Sequence, residues 1–256
     1  MINHRFVVEG IEVNCDSLRP TAERIVAEAK QDQSFSVFTL NLDHVVKLRR
    51  NPEFRAAYEN ARYVTADGFP IVWAGRLRGA KAERVTGSDL IEPLCLEAAK
   101  AGISVYLFGS TFDALAGAAG TLARRCPGLE IAGVASPPIG FEPSSQAAIA
   151  YAHQIATSGA KICFVALGAP KQELFAAAAL AHAPGVAFVC IGAGLDFIAG
   201  VQTRAPEWAQ ASGTEWLWRL LSDPRRLGRR YLDCLIVLPS ILMSGITTQR
   251  PTAKAP

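Results

Sequence analysis

At 256 residues the chain suits one large domain, or one domain with an appendage, better than two independent folds. Half of it is apolar and 19% is charged, which excludes disorder and fibrous repeats and leaves material for a full-sized core. The net charge of +3, from 26 Lys plus Arg against 23 Asp plus Glu, is too mild for a dedicated nucleic-acid binder.

The opening Met1-Ile2-Asn3-His4-Arg5 leads into no apolar h-region and no small-residue cleavage site, so no secretory signal is predicted. Residues 5–15 read as two short strands around Glu9-Gly10, a β-hairpin. A helix over about 20–30 leads to the apolar run 35–39, and a polar helix follows over 43–50. Tyr63-Val64-Thr65 is a brief strand ending at Ala66-Asp67-Gly68. Thr86-Gly87-Ser88-Asp89 carries a helix-start signature and opens a helix to about Lys100. Four further strands are predicted at 103–108, 129–134, 161–167 and 186–191, separated by alanine-rich helices around 111–125, 144–158 and 171–182. Continuous apolar strands separated by helices of this length indicate a parallel sheet covered on both faces, hence an α/β, Rossmann-like sandwich. After Gly200 the strands stop, and two helices over about 206–222 and 224–238 form a segment of another kind.

In open parallel sheets, ligands bind beyond the carboxyl ends of the strands, where loops meet helix N-termini. The predicted strand ends carry Thr39-Leu40-Asn41, Ala66-Asp67-Gly68, Gly109-Ser110-Thr111, Gly168 through Glu173, and Gly192-Ala193-Gly194. Glycines there let a phosphate approach the backbone, although glycines also end strands in any α/β protein. Five such junctions on one rim favour a nucleotide or phosphorylated ligand. Gly192 and Gly194 are followed by Phe197 where a dinucleotide fingerprint has its third glycine, and no Walker A sequence occurs. The histidines His4, His44, His153 and His182 show no zincin spacing and no pairing with a nucleophilic serine motif. Asp67, directly after a short apolar strand, should project into the cleft, where a carboxylate can take a proton from an attacking hydroxyl; the alternative is a cap on a helix starting near Phe69. Asp89 and Asp43 read as capping or surface groups, and Thr39 and Asn41 could bond a sugar or base or simply serve the turn. No D-x-D pair is present to hold a metal against a departing diphosphate. The developing charge then needs cations such as Arg84, Lys171 and the tail arginines.

Six cysteines, Cys15, Cys95, Cys126, Cys163, Cys190 and Cys234, are scattered among apolar neighbours with no C-x-x-C pair. That argues against a disulfide framework or zinc ribbon and for a reducing compartment, the cytoplasm. The charge is uneven: residues 1–203 sum to −1 and residues 204–256 to +4. Arg219, Arg225, Arg226, Arg229 and Arg230 lie within 12 residues, interleaved with Trp216, Trp218, Leu220, Leu221, Leu227 and Tyr231, the pattern of an interfacial helix or of a core helix with a solvated arginine face. The apolar run 232–246, interrupted by Asp233, Pro239 and Ser240, is too short to cross a membrane. Residues 1–203 are thus expected to form the α/β body and 204–256 a basic, amphipathic helical appendage with a flexible end.

These residues closely resemble the WecG/TagA/CpsF family of bacterial glycosyltransferases. Eight motifs in order carry the resemblance: TLN at 39–41, ADG at 66–68, ERVTGSDL at 83–90, VYLFGS at 105–110, LGAPKQE at 167–173, GAGLDFIAG at 192–200, RAPEW at 204–208 and EWLWRLLSDPRRLGRRYL at 215–232. The resemblance implies a metal-independent, inverting transfer, without cofactor, from a UDP-sugar to a sugar on an undecaprenyl-diphosphate carrier at the inner face of the cytoplasmic membrane. N-acetylmannosamine, its uronic acid and glucose are all donated by similar proteins. Asp67 matches the proposed base, and Thr39, Asn41, Arg84 and Gln172 match pocket residues. Arg219, Arg226 and Arg229 match arginines thought to close over the diphosphate. Gly109, Ser110, Gly168, Lys171, Gly192, Gly194 and Asp196 complete the expected substrate-binding rim. Leu195, before Asp196-Phe197, departs from the longer small-residue and aromatic run of many relatives. The expected partners are the donor, the lipid-linked acceptor and an anionic membrane surface, with no nucleic acid; a homo-oligomer stays open. On the fold alone, a nucleotide-binding oxidoreductase or a non-catalytic nucleotide-sugar binding protein are the competing readings.

Overall fold

In the computed structural model, residues 5–15, 17–211, 214–222 and 224–247 are described. The hairpin forms as read: β1 (Phe6–Val8) and β2 (Ile11–Val13) pair antiparallel across Glu9-Gly10, both at positive φ. The main sheet contains β3 (Phe35–Leu40), β4 (Tyr63–Ala66), β5 (Val105–Gly109), β6 (Ile131–Ala135), β7 (Ile162–Ala166) and β8 (Ala187–Cys190). Its order is β4-β3-β8-β7-β5-β6, and every pairing is parallel. All of these strands except the edge strand β6 are buried along their whole length, which is why they read as unbroken apolar runs. The other edge, β4, is covered by the hairpin: Asn14 N–H donates to the Val64 carbonyl at 3.1 Å, and the Asn14 side chain receives Val64 N–H at 2.9 Å.

Helices cover both faces. One core joins the hairpin with α2 (Leu42–Arg50), α3 (Pro52–Glu59), α4 (Phe69–Leu77), α7 (Gln146–Thr157) and α8 (Lys171–Ala179). The other joins α1 (Leu18–Ala29), α5 (Gly87–Ala101), α6 (Phe112–Arg125) and α9 (Gly194–Ile198). Helix starts follow local chemistry: Asn41, Asn51 and Thr86 side chains accept the backbone N–H of His44, Phe54 and Asp89 respectively, and Pro52 occupies the first turn of α3. From β3 the chain turns into α2 on one face; from its neighbour β8 it turns into α9 on the other. The crevice between their carboxyl ends is therefore the topological switch point of the sheet.

The tail differs from its predicted outline. The single helix expected over 206–222 is two, α10 (Glu207–Ala211) and α11 (Glu215–Ser222), while α12 (Pro224–Thr247) runs nine residues beyond the expected end, through Pro239. Pro239 has no N–H to donate to the Leu235 carbonyl and its ring crowds that carbonyl, but Leu235 lies on the exposed side of the helix, where water can take the place of the lost donor. One face of α12 buries Leu227, Cys234, Val237 and Ile241 as the helix packs on α2 and α4. Ionic contacts stitch the same seam: Arg230 to Asp43 at 2.9 Å and Arg50 to Asp233 at 2.8 Å, with Arg49 donating to Ser240 Oγ at 2.7 Å. Arg230 thus faces the body instead of belonging to an outward basic stripe.

Candidate functional site

The structure brings Thr39, Asn41 and Asp67 together at the carboxyl ends of β3 and β4. Thr39 Oγ1 and Asn41 Nδ2 both donate to Asp67 Oδ2, each at 3.4 Å, and Asp67 N–H donates to the Leu40 carbonyl at 2.8 Å. The parallel register sets this up by placing Thr39 beside Thr65 and Leu40 beside Ala66, so the next residue of each strand emerges on the rim. Gly68, at φ +94°, is the N-cap residue of α4, which frees the Asp67 side chain for its neighbours on β3. A half-buried carboxylate oriented by a hydroxyl and an amide is suited to accept a proton from a bound hydroxyl.

Beneath this group lies a layer of buried polar side chains that motif reading missed. His44 Nδ1 lies 2.7 Å from both the Thr39 carbonyl and Tyr58 Oη, and Tyr58 Oη donates to that carbonyl at 2.8 Å, so the backbone under Thr39 is held from two helices. Burial drives His44 down to about 4, which keeps the imidazole neutral near neutral pH. Asp43, next to it, is buried rather than a surface group. Burial works to raise its carboxyl, but the charges of Arg230 and Lys47 outweigh this and hold it below the usual range.

On the other side of the switch point, Gln172 Oε1 accepts Gly192 N–H at 3.0 Å, and Gln172 Nε2 donates to Glu173 Oε1 at 2.8 Å. Glu173 is 0% exposed, and its Oε2 has no hydrogen-bond partner among the described residues. Burial pushes its carboxyl up to about 7. The only sequence signal for this group was its adjacency to Gln172 in the 167–173 motif.

The rim glycines divide by physical role. Gly168 and Gly192 have positive φ and open space where a side chain would be, so a ligand could approach their backbone. Packing explains the other two. A Cβ on Gly109 would lie 2.5 Å from the Ala166 carbonyl oxygen, and one on Gly194 would lie 2.5 Å from Ile91 Cδ1. Ser110, at φ +50°, donates its hydroxyl to Asp196 Oδ1, while Asp196 Oδ2 accepts from Gln202 Nε2 at 2.8 Å. Arg84 lies 3.5 Å from Asp89, and Val85 N–H donates to the Ala66 carbonyl at 2.8 Å, which places this pair beside the Asp67 strand end. Asp89 thus pairs with Arg84, and with Arg204 at 2.7 Å, as well as standing in a capped first turn. Lys171 is turned to the loop after β6, donating to the Phe141 carbonyl at 2.7 Å and lying 3.6 Å from Glu142. Arg229 is exposed near Asp233, whereas the side chains of Arg219 and Arg226 lie outside the described residues. All six cysteines are free and buried.

Polar groups gathered at the switch point of a parallel sheet are the architecture of an α/β nucleotide-dependent enzyme. A sequence model of the Glycosyl transferase WecG/TagA/CpsF family matches residues 6–251, and the chain belongs to that family. It is accordingly a glycosyltransferase of cell-surface polysaccharide synthesis, using a nucleotide-sugar donor and a lipid-linked acceptor. Membership also sets aside the oxidoreductase and non-catalytic readings.

The position of Glu173 makes a stability prediction. Unfolded, its carboxyl titrates near 4.5; folded, at about 7. Its contribution is therefore fully present below the unfolded value and is lost as pH rises through the folded one. The thermal midpoint of the native protein should accordingly fall, relative to that of Glu173→Gln, as pH rises from about 5 to about 8. His44, whose contribution runs the other way and is lost as pH falls through about 4, is common to both proteins and cancels. Parallel pH profiles for the two proteins would rule out a neutral buried carboxyl at Glu173.

Proposed function

We propose that the chain is an inverting, metal-independent transferase that moves a sugar from a UDP-sugar to a sugar carried on undecaprenyl diphosphate, with Asp67 as general base. The observation that carries this reading is the pair of donors, Thr39 and Asn41, fixed on one oxygen of Asp67 at the switch point. The acceptor hydroxyl gives its proton to Asp67 as its oxygen bonds to the anomeric carbon. The bond from that carbon to the diphosphate breaks on the opposite face, and UDP leaves with the electron pair, so the configuration inverts. Arg84, the open backbone at Gly168 and Gly192, and the tail residues Arg219, Arg226 and Arg229 are the groups proposed to meet the diphosphate charge. N-acetylmannosamine, its uronic acid and glucose are the candidate sugars.

The tail supports a second part of the proposal, peripheral docking on an anionic membrane at its cytoplasmic face. No helix among the described residues is long and apolar enough to cross a membrane. Opposite the face of α12 that packs on the body, Leu232, Leu235, Ile236 and Met243 are exposed, and α11 adds Trp216, Leu217 and Leu221. Trp73 and Leu77 are also exposed on α4, against which α12 packs. Apolar area of this extent in a solvated setting calls for a partner, and exposed Arg225 and Arg229 suit an anionic one. We take residues 1–203 as the catalytic body and 204–256 as the docking appendage.

Three outcomes test these parts. Asp67→Asn should lower kcat by about 10²-fold or more while UDP affinity stays near normal; near-native turnover would remove Asp67 from the base role. Transfer should persist in excess EDTA, and a strict requirement for Mg²⁺ or Mn²⁺ would defeat the charge scheme. Replacing Leu232, Leu235 and Ile236 together by serine should abolish sedimentation with phosphatidylglycerol vesicles while leaving the melting curve intact; unchanged sedimentation would refute the docking face.

A further inference from the structure

Arg204 begins the RAPEW motif, to which neither the base nor the tail proposal gives a role. Its guanidinium does not point to the tail that follows it. Nη2 lies 2.7 Å from Asp89 Oδ1, while Arg84 Nη2 lies 3.5 Å from the other oxygen of the same carboxylate. Two guanidinium groups therefore share one carboxylate, and the cluster keeps one net positive charge. All three side chains retain 20–25% exposure, so solvent reaches the cluster. Arg204 Nε is buried without a hydrogen-bond partner among the described residues, so the guanidinium is only partly satisfied as it stands.

The surroundings place this charge on the rim. Asp89 stands in the first turn of α5, whose N-cap is Thr86. That turn packs directly over the end of β8: a Cβ on Gly87 would lie 2.8 Å from Ile191 Cα, and one on Gly194 would lie 3.2 Å from Ser88 Cα. Val85, joined to Arg84, is hydrogen-bonded to the Ala66 carbonyl immediately before Asp67. The cluster thus lies between the end of β4, which leads to Asp67, and the loop that contains Gly192. The loop that delivers Arg204 is fixed in turn, because Val201 and Gln202 N–H donate to the Asp196 carbonyl at 3.0 and 3.2 Å.

We propose that Arg204 and Arg84 together form an anion subsite for the diphosphate of the nucleotide-sugar, with Asp89 as the positioning residue that holds the two guanidinium groups side by side in its absence. Like charges at this spacing repel, and one carboxylate between them keeps both in place. A diphosphate carries enough charge to bond both arginines, each of which has further N–H donors beyond the one facing Asp89. Arg204 is covalently the first residue of the appendage, so the subsite also joins the donor to the segment that carries α10 to α12. This assignment rests on the nucleotide-sugar reading above, but the anion subsite can be probed without it.

The test titrates the full chain, as native protein and as Arg204→Gln and Asp89→Asn, with UDP, uridine and inorganic diphosphate by calorimetry, with melting curves to establish folding. Arg204→Gln should weaken UDP and inorganic diphosphate about tenfold or more and leave uridine unchanged; Asp89→Asn should weaken UDP by a smaller factor. Should Arg204→Gln bind UDP as tightly as the native protein does, the subsite is refuted while the donor reading stands. Native protein that binds inorganic diphosphate through Arg204 but shows no preference for UDP would overturn the donor reading and keep the subsite. If Arg204→Gln loses UDP and uridine in equal proportion, the arginine is structural and the proposal is again refuted.

Discussion

Parallel strands buried on both faces leave a chain few places for polar chemistry, and everything distinctive in this molecule follows from that constraint. Five of the six strands are buried along their whole length, so a side chain that must meet a ligand has to lie at or past a strand end. The order β4-β3-β8-β7-β5-β6 makes one such place special, because β3 and β8 send the chain to opposite faces and their carboxyl ends part. Asn41 and Asp67 lie on one side of that parting, Gly192 on the other, and the first turn of α5 bridges behind them. The proposed reaction needs a base and a diphosphate site within one crevice, and this sheet order puts Asp67 and the open backbone of Gly192 on its two edges.

Holding Asp67 still has a cost inside the protein. His44, Tyr58 and Glu173 are titratable groups sunk under the rim, and an unpaired buried polar atom such as Glu173 Oε2 costs about 1–3 kcal/mol. Two of them have a definable structural return. His44 and Tyr58 pin the Thr39 carbonyl, and the hydroxyl of the same residue reaches Asp67. Glu173 acts one step further off, fixing the amide of Gln172 that in turn fixes Gly192. A neutral carboxyl suits this place better than a charged one, since burial penalises the anion and the charge of Asp43 on α2 adds to that, which together outweigh the Gln172 donor that favours it.

What the sequence made legible was governed by periodicity and punctuation. Unbroken apolar runs gave every strand of the main sheet to within a few residues, and Thr86 marked the start of α5 because its cap is local. Asp67 could be singled out because it directly follows a strand. Three things could not be read this way. The split between α10 and α11 and the continuation of α12 through Pro239 depend on packing against α2 and α4, which no local signal carries. The packing roles of Gly109 and Gly194 depend on neighbours far away in sequence, Ala166 and Ile91. Asp89 looked like an ordinary first-turn carboxylate, and only the return of the chain at Arg204 gives it a second partner 115 positions on.

The tail and the proposed base both bear on helix α2, which would join the proposed docking to the proposed chemistry. Helix α2 is capped by Asn41, whose side chain also donates to Asp67. Two residues on, Asp43 receives Arg230 from α12, and at the far end of α2 Arg50 pairs with Asp233. Any shift of α12 along its seam therefore acts on the helix whose first turn orients the proposed base. Asp43 is mostly buried and Arg230 only half exposed, so this pair is screened less than a surface pair and its geometry matters more. Seating α12 at a lipid surface would then bear on Asp67 through a single rigid element, without requiring the catalytic body itself to change shape.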